Sequence, residues 1–246
     1  MIPKIIHYCW FGNKELPDDA VRCINSWKRV LFDYEFKLWN QDNFDLNLYP
    51  YTREAYDNKK YAFVTDVVRL YALYHEGGIY MDTDVEVLKS YDPFLHHVAF
   101  SGFETNKTFP TGTMAAEKGS VWAKELLDQY EGRHFLLSDG SFDYTTNTIV
   151  ITKFMLSKGM IANNKLQDFP GLITAYPSDY FCPKDHTTGL IHITENTICI
   201  HHFAGSWLPS TPFSRIRHKL KLFVTRILGE ELSIMISDIV TFRIFR

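Results

Sequence analysis

Gly77-Gly78-Ile79-Tyr80-Met81-Asp82-Thr83-Asp84-Val85 is the stretch that decides the fold. The two glycines end a helical segment and let the backbone turn tightly. Ile79-Tyr80-Met81 is a short apolar run of the kind that forms a buried strand. Asp82 and Asp84 follow it directly, and a spacing of two residues puts both carboxylates on one side of an extended backbone. Two carboxylates so close repel each other unless a cation sits between them. A hard divalent ion, Mn²⁺ or Mg²⁺, takes such oxygen ligands and keeps positions open for phosphate oxygens. An acidic solvated turn is the alternative. The buried strand weighs against it, because acids at the carboxyl end of a central strand lie on the edge where open α/β sheets bind ligands.

The segment before the glycines, about residues 59–76, reads as a helix. Between Tyr61 and Tyr74 only Asp66 and Arg69 are charged, so the helix is apolar on most faces and therefore buried. Charges in such a helix must pair or meet a ligand, and at i,i+3 these two share a face. They form either an internal ion pair or a carboxylate and a guanidinium presented to a polar ligand such as a sugar or phosphate. Upstream, residues 4–9 read as a strand, 17–30 as a helix opened by Pro17, and 34–39 as a strand. That β-α-β opening implies a partly parallel α/β domain. Downstream, residues 85–88 and 98–103 read as strands and 120–130 and 144–156 as helices. Beyond residue 158 the periodicity weakens, leaving short strands at 189–194 and 197–203. The last ends in His201-His202, and since neighbours on a strand point opposite ways, one imidazole can face the ligand edge as a further metal ligand.

With 246 residues, 46% hydrophobic and 22% charged, the chain can bury the core of one domain plus an appendage. A net charge of -3 excludes a dedicated nucleic-acid binder. The charge is uneven, however. From Phe213 onward Arg215, Arg217, Lys219, Lys221, Arg226, Arg243 and Arg246 stand against Glu230, Glu231 and Asp238, giving a basic tail on an acidic body. Cys9, Cys23, Cys182 and Cys199 form no CxxC pair, so reduced, buried thiols are expected. No basic and apolar leader and no run long enough to span a bilayer is seen, which reads as a cytoplasmic protein.

Four motifs occur in order: residues 2–12 (IPKIIHYCWFG), 62–70 (AFVTDVVRL), 77–85 (GGIYMDTDV) and 201–207 (HHFAGSW). Together they resemble the DXD-containing glycosyltransferases of family 32, which include bacterial capsule and lipopolysaccharide sugar transferases and a yeast outer-chain mannosyltransferase, with distant similarity to clostridial glucosylating toxins. The resemblance spans about residues 1–208. It implies a GT-A fold, with a Rossmann-like nucleotide-binding half fused to an acceptor-binding half, and metal-dependent transfer with retention at the anomeric carbon. Carried onto this sequence, it implies that Trp10 stacks on the nucleotide base and that Asp66 and Arg69 hold the donor sugar. Asp82 contacts ribose or sugar, and Asp84 binds Mn²⁺ through the diphosphate. His202, chosen over His201, supplies a late metal ligand, Ser206 and Trp207 contact the phosphates, and Asn147 lies near the reacting centre.

The expected donor is a UDP-hexose (galactose, glucose or N-acetylglucosamine), with GDP-mannose as the alternative. The expected acceptor is a glycan, lipid-linked, in bacterial surface polysaccharide synthesis. A metal-dependent phosphohydrolase using the same acids is the competing chemistry. The chain divides into a catalytic domain, residues 1–212, and a tail, residues 213–246. In the tail Phe213, Ile216, Leu220, Phe223, Val224, Ile227 and Leu228 recur at helical spacing while the basic residues mostly occupy other faces, the pattern of a helix lying on an anionic membrane surface. The protein is therefore expected on the inner face of the cell membrane.

Overall fold

The computed structural model describes residues 1–109, 112–186 and 188–205. Its contacts group the chain into two units. One comprises Met1–Pro183 and Ile193–His202, and the other Lys184–His192 together with the chain from Phe203. The expected boundary at residue 212, the tail, Ser206 and Trp207 all lie outside the described residues.

The first unit is an α/β domain. It opens with β1 (Ile5–Cys9), α1 (Asp18–Val30) and β2 (Glu35–Trp39), the expected β-α-β. Then come α2 (Pro50–Asp57), α3 (Tyr61–His75), β3 (Gly78–Met81) and β4 (Val85–Val87). β5 (Ala99–Gly102), β6 (Thr113–Ala116), α4 (Val121–Leu127) and α5 (Asn147–Ser157) follow. The series closes with β7 (Gln167–Phe169), β8 (Ile173–Tyr176), α6 (Ser178–Phe181) and β9 (Cys199–His201). Seven strands form one sheet in the order β2-β1-β3-β6-β5-β8-β7, and β4 pairs with β9 in a separate two-stranded ribbon. β1 runs parallel to β2 and β3, β6 is antiparallel to β3 and β5, and β8 is parallel to β5. A parallel half fused to a mixed half is the arrangement that the GT-A expectation called for.

The parallel half explains the placement of the motifs. Cys9, Trp39 and Met81 end three parallel strands at one edge, so Trp10, Asn40 and Asp82 all leave the sheet on the same side. Strand alternation then sorts the side chains of β3. Ile79 and Met81 join the core layer that contains Trp27 and Phe100, while Tyr80 joins the opposite layer with Val64, Val67 and Val68 of α3. α1 fixes the ribbon from the first of these layers. Trp27 Nε1 donates to the Val85 carbonyl at 2.6 Å, and Ser26 Oγ accepts from Val87 N–H at 2.9 Å.

Several elements differ from the sequence expectation. α2, β6, β7 and β8 carry no clear periodicity. Residues 189–194 contain no strand; Ile191 makes only an isolated antiparallel bridge to Lys184. The helix expected at 144–156 begins at Asn147.

Both glycines before β3 are obligatory. Gly77 and Gly78 have φ of 72° and 111°, and a Cβ on Gly78 would lie 2.6 Å from the Ile5 carbonyl oxygen. His7, fully buried behind them, donates from Nε2 to the Gly77 carbonyl at 2.7 Å and accepts at Nδ1 from Trp39 Nε1 at 3.1 Å. Burial pushes the His7 pKa down, which keeps the ring in the neutral form that this bonding needs. Gly78→Ala is therefore expected to cost about 2 kcal/mol or more in chemical denaturation, since it combines left-handed strain with a backbone clash.

Candidate active site

The site is built around Arg69. α3 carries it into the interior, where its guanidinium lies 4.5 Å from the centre of the Tyr80 ring. Arg69 Nη2 is 3.3 Å from Asp66 Oδ1 and 3.3 Å from Asp82 Oδ1, so one cation ties the helix to the end of β3. Its Nε donates to the Thr65 carbonyl at 3.2 Å. The Tyr80 hydroxyl donates to Asp82 Oδ1 at 2.9 Å. Of the two sequence readings of Asp66 and Arg69, the structure shows the ion pair, and the pair reaches Asp82 of the DXD motif.

The DXD acids meet a histidine from the far end of the chain. β9 pairs antiparallel with β4, with Val85 opposite His201. His201 Nε2 consequently lies 3.3 Å from Asp84 Oδ1 and 3.9 Å from Asp82 Oδ2. Asp82, Asp84 and His201 each bring a ligand atom within 4.8 Å of the others, the one such cluster among the described residues. The imidazole of this cluster belongs to His201 and not to the expected His202. His202 points the other way and bonds Glu86 Oε2 at 2.8 Å, because adjacent residues at a strand end face opposite sides.

Burial dominates the electrostatics. It lifts the Asp66 pKa to about 6, with Arg69 opposing. Burial also raises Asp82, again against the pull of Arg69. For His201 burial favours the neutral ring, but Asp84, then a hydrogen bond with Cys182 and the charge of Asp82, outweigh it and raise the imidazole pKa well above its ordinary value. Two carboxylates with one imidazole form a donor set that would hold a divalent ion such as Mn²⁺, and His201 would have to be neutral to ligate it.

Asn147 joins the same centre. Its backbone N–H, at the start of α5, donates to Asp66 Oδ2 at 3.2 Å, and its Nδ2 donates to the Asp66 carbonyl at 3.0 Å. Its Oδ1 is buried with no hydrogen-bond partner among the described residues, an acceptor available to a ligand hydroxyl. Trp10 is partly exposed, with Nε1 donating to the Lys14 carbonyl at 2.6 Å, so it belongs to the edge of the sheet and not to the core.

Two contributors had no sequence signal. Gly112 accepts from Asp82 N–H at 2.9 Å through its carbonyl, and a Cβ there would fall 2.7 Å from His201 Nδ1. The imidazole can lie against the acids only because this position has no side chain. Arg133 is stacked 5.0 Å from the ring centres of both Tyr51 and Tyr130 and bonds Asp143 Oδ2 through Nε at 3.0 Å and Nη2 at 2.6 Å. This clasp holds the segment that leads to Asn147.

Residues 17–101 match the family described as glycosyltransferase sugar-binding region containing DXD motif. Over that stretch the chain is similar to DXD-type glycosyltransferase sugar-binding regions. Among curated proteins it is 38% identical over 115 residues to inositol phosphoceramide mannosyltransferase 3 of Schizosaccharomyces pombe, covering 45% of this chain and 31% of that one. It is 33% identical over 155 residues to an uncharacterised glycosyltransferase of Acanthamoeba polyphaga mimivirus, covering 60% of this chain and 61% of that one. The chain thus spans about a third of the length of the yeast relative. Among solved structures, the PaToxG glycosyltransferase aligns over 64% of this chain and 69% of its own, at 18% identity and a TM-score of 0.47.

Two outcomes test this geometry. Gly112→Ala should displace His201 and lower Mn²⁺ affinity at least about tenfold by calorimetry, with little change in melting temperature. Asp66 supplies the second. Its folded pKa of about 6 exceeds the ordinary 3.8, so its protonation stabilises the fold below pH 4 and that contribution is lost as pH rises through 6. Without divalent ions, Asp66→Asn should therefore gain stability relative to the parent between pH 4 and pH 7, on the order of 2 kcal/mol.

Proposed function

We propose that this protein transfers a hexose from a nucleotide sugar to a glycan acceptor, with retention at the anomeric carbon and a divalent metal as cofactor. The observation that carries the reading is the convergence of Asp82, Asp84 and His201 on the ligand edge of the parallel half, directly beside the buried Asp66–Arg69 pair. A Mn²⁺ or Mg²⁺ ion held by these three would neutralise diphosphate charge when bound.

The chain's own residues do the rest. Trp10 offers a ring face at the sheet edge to the nucleotide base. Arg69, already oriented by Asp66 and Asp82, presents fixed positive charge to a leaving group that grows more negative as the bond to the sugar breaks. Asp66 and the Asn147 Oδ1 accept from sugar hydroxyls and fix the ring. In the retaining front-face reaction the bond from the anomeric carbon to the leaving phosphate breaks, and the bond to the acceptor oxygen forms on the same face. The acceptor proton passes to the departing phosphate oxygen. No enzymic base is required.

The yeast relative's description as a mannosyltransferase favours mannose, and hence GDP-mannose, over the UDP-hexoses expected from the motifs. The acceptor in that relative's name, inositol phosphoceramide, supports a lipid-linked acceptor for this chain as well. Attachment to an anionic membrane surface through the basic residues after Phe213 is proposed on their sequence pattern alone.

A panel of UDP- and GDP-sugars with and without Mn²⁺ should show release of one nucleoside diphosphate, depressed at least about 100-fold in Asp84→Asn. Release of inorganic phosphate from many phosphate esters, without preference for a nucleotide sugar, would instead identify a phosphohydrolase.

A further inference from the structure

One cluster close to Asp66 takes no part in the chemistry above. Lys60 stands immediately before α3, under two turns from Asp66, or about 9 Å along the helix axis. Its ammonium lies 5.4 Å from the centre of the Tyr144 ring and 5.8 Å from that of Phe142. Those rings meet edge to face, 5.9 Å apart at 84°. Tyr144 is 55% exposed, so part of its side chain is accessible to a ligand.

The cluster is rigid at its base. Phe142 stacks at 5.1 Å on Phe135, which is fully buried, and Tyr144 packs at 5.7 Å on Phe63, which is 5% exposed. Phe63 is three residues before Asp66 on α3, and Tyr144 is three residues before Asn147, which bonds Asp66. The platform and the reacting centre are therefore built on the same two chain segments.

Lys60 is also electrostatically unusual. No carboxylate among the described residues lies within 4.0 Å of its ammonium. It stands at the end of α3 where the helix dipole disfavours a cation, and that helix has no acidic residue in its first turn. Its cation–π neighbours among the described residues are the faces of the Phe142 and Tyr144 rings. A positive charge kept there beside an accessible aromatic side chain matches a ligand that has both an apolar ring face and an anion. A sugar ring lays its C–H face on the negative face of an aromatic ring, and a phosphate on that sugar would meet the ammonium.

We propose that Lys60, Phe142 and Tyr144 form the acceptor subsite, and that it selects an acceptor sugar bearing a phosphate group. The proposal rests on the glycosyltransferase reading and adds to it the chemical class of the acceptor.

The test uses the full chain in EDTA, titrated calorimetrically with glucose, glucose 6-phosphate and inorganic phosphate. The parent should bind glucose 6-phosphate at least about tenfold more tightly than either glucose or phosphate alone. Lys60→Gln should reduce that preference over glucose to near unity, Lys60→Arg should keep it, and Tyr144→Ala should weaken both sugars together while preserving their ratio. A parent with no such preference, or phosphate alone binding as well as the sugar phosphate, overturns the proposal. So does a Lys60→Gln variant whose only change is a lower melting temperature, since that marks a structural lysine. GDP and UDP binding with Mn²⁺, measured on the same preparations, separates the two readings. Nucleotide binding without the sugar-phosphate preference removes the acceptor subsite only, whereas loss of nucleotide binding removes the donor reading itself.

Discussion

A guanidinium held inside a helix is the constraint from which the rest of this site follows. Arg69 is 5% exposed, and an isolated charge at that depth would cost several kcal/mol. Two carboxylates answer it, one from its own helix and one from the end of β3. The Tyr80 ring beneath and the Tyr80 hydroxyl on Asp82 complete the shell. Because Asp66 and Asp82 share one cation, neither is fully compensated, and burial raises the pKa of each. The domain carries negative charge toward its ligand edge as a result, and His201 takes up a proton in response. The acidic body seen in the composition is concentrated, at this edge, into an arrangement that a divalent cation would relieve.

The parts of the fold legible in the sequence were those with a physical signature shorter than a strand or a helix. The β-α-β opening, the buried α3 and the glycine turn into β3 each declared themselves through apolar periodicity or a φ that only glycine adopts easily. β6 did not, because Thr113-Met114-Ala115-Ala116 is a four-residue strand with neither polar–apolar alternation nor β-branched enrichment. It is a central strand and buried on both faces, so its neighbours define it and local propensity does not.

The site divides in the same way. Asp66, Arg69, Asp82 and Asp84 could be found because charge is conspicuous in an apolar setting. Which of His201 and His202 faces the acids depended on the register between β4 and β9, and a slip of one residue exchanges them. Gly112 was invisible for a different reason: its contribution is the absence of a side chain, and no pattern marks a position where an imidazole needs room. Asn147 gained its meaning only when α5 proved to start there and to direct its first N–H at Asp66.

The β4–β9 ribbon has a consequence for how the protein acquires activity. Val85 and His201 are brought together across most of the domain's sequence, while Asp82 and Asp84 are already adjacent as soon as β3 forms. Long-range pairing of this kind closes late, because its loop entropy must be met before its contacts contribute. A nascent chain therefore carries its two acids for some time without their imidazole. The site remains incomplete until the end of the domain has been made and has docked, so chemistry and completion of the fold are gated by the same strand.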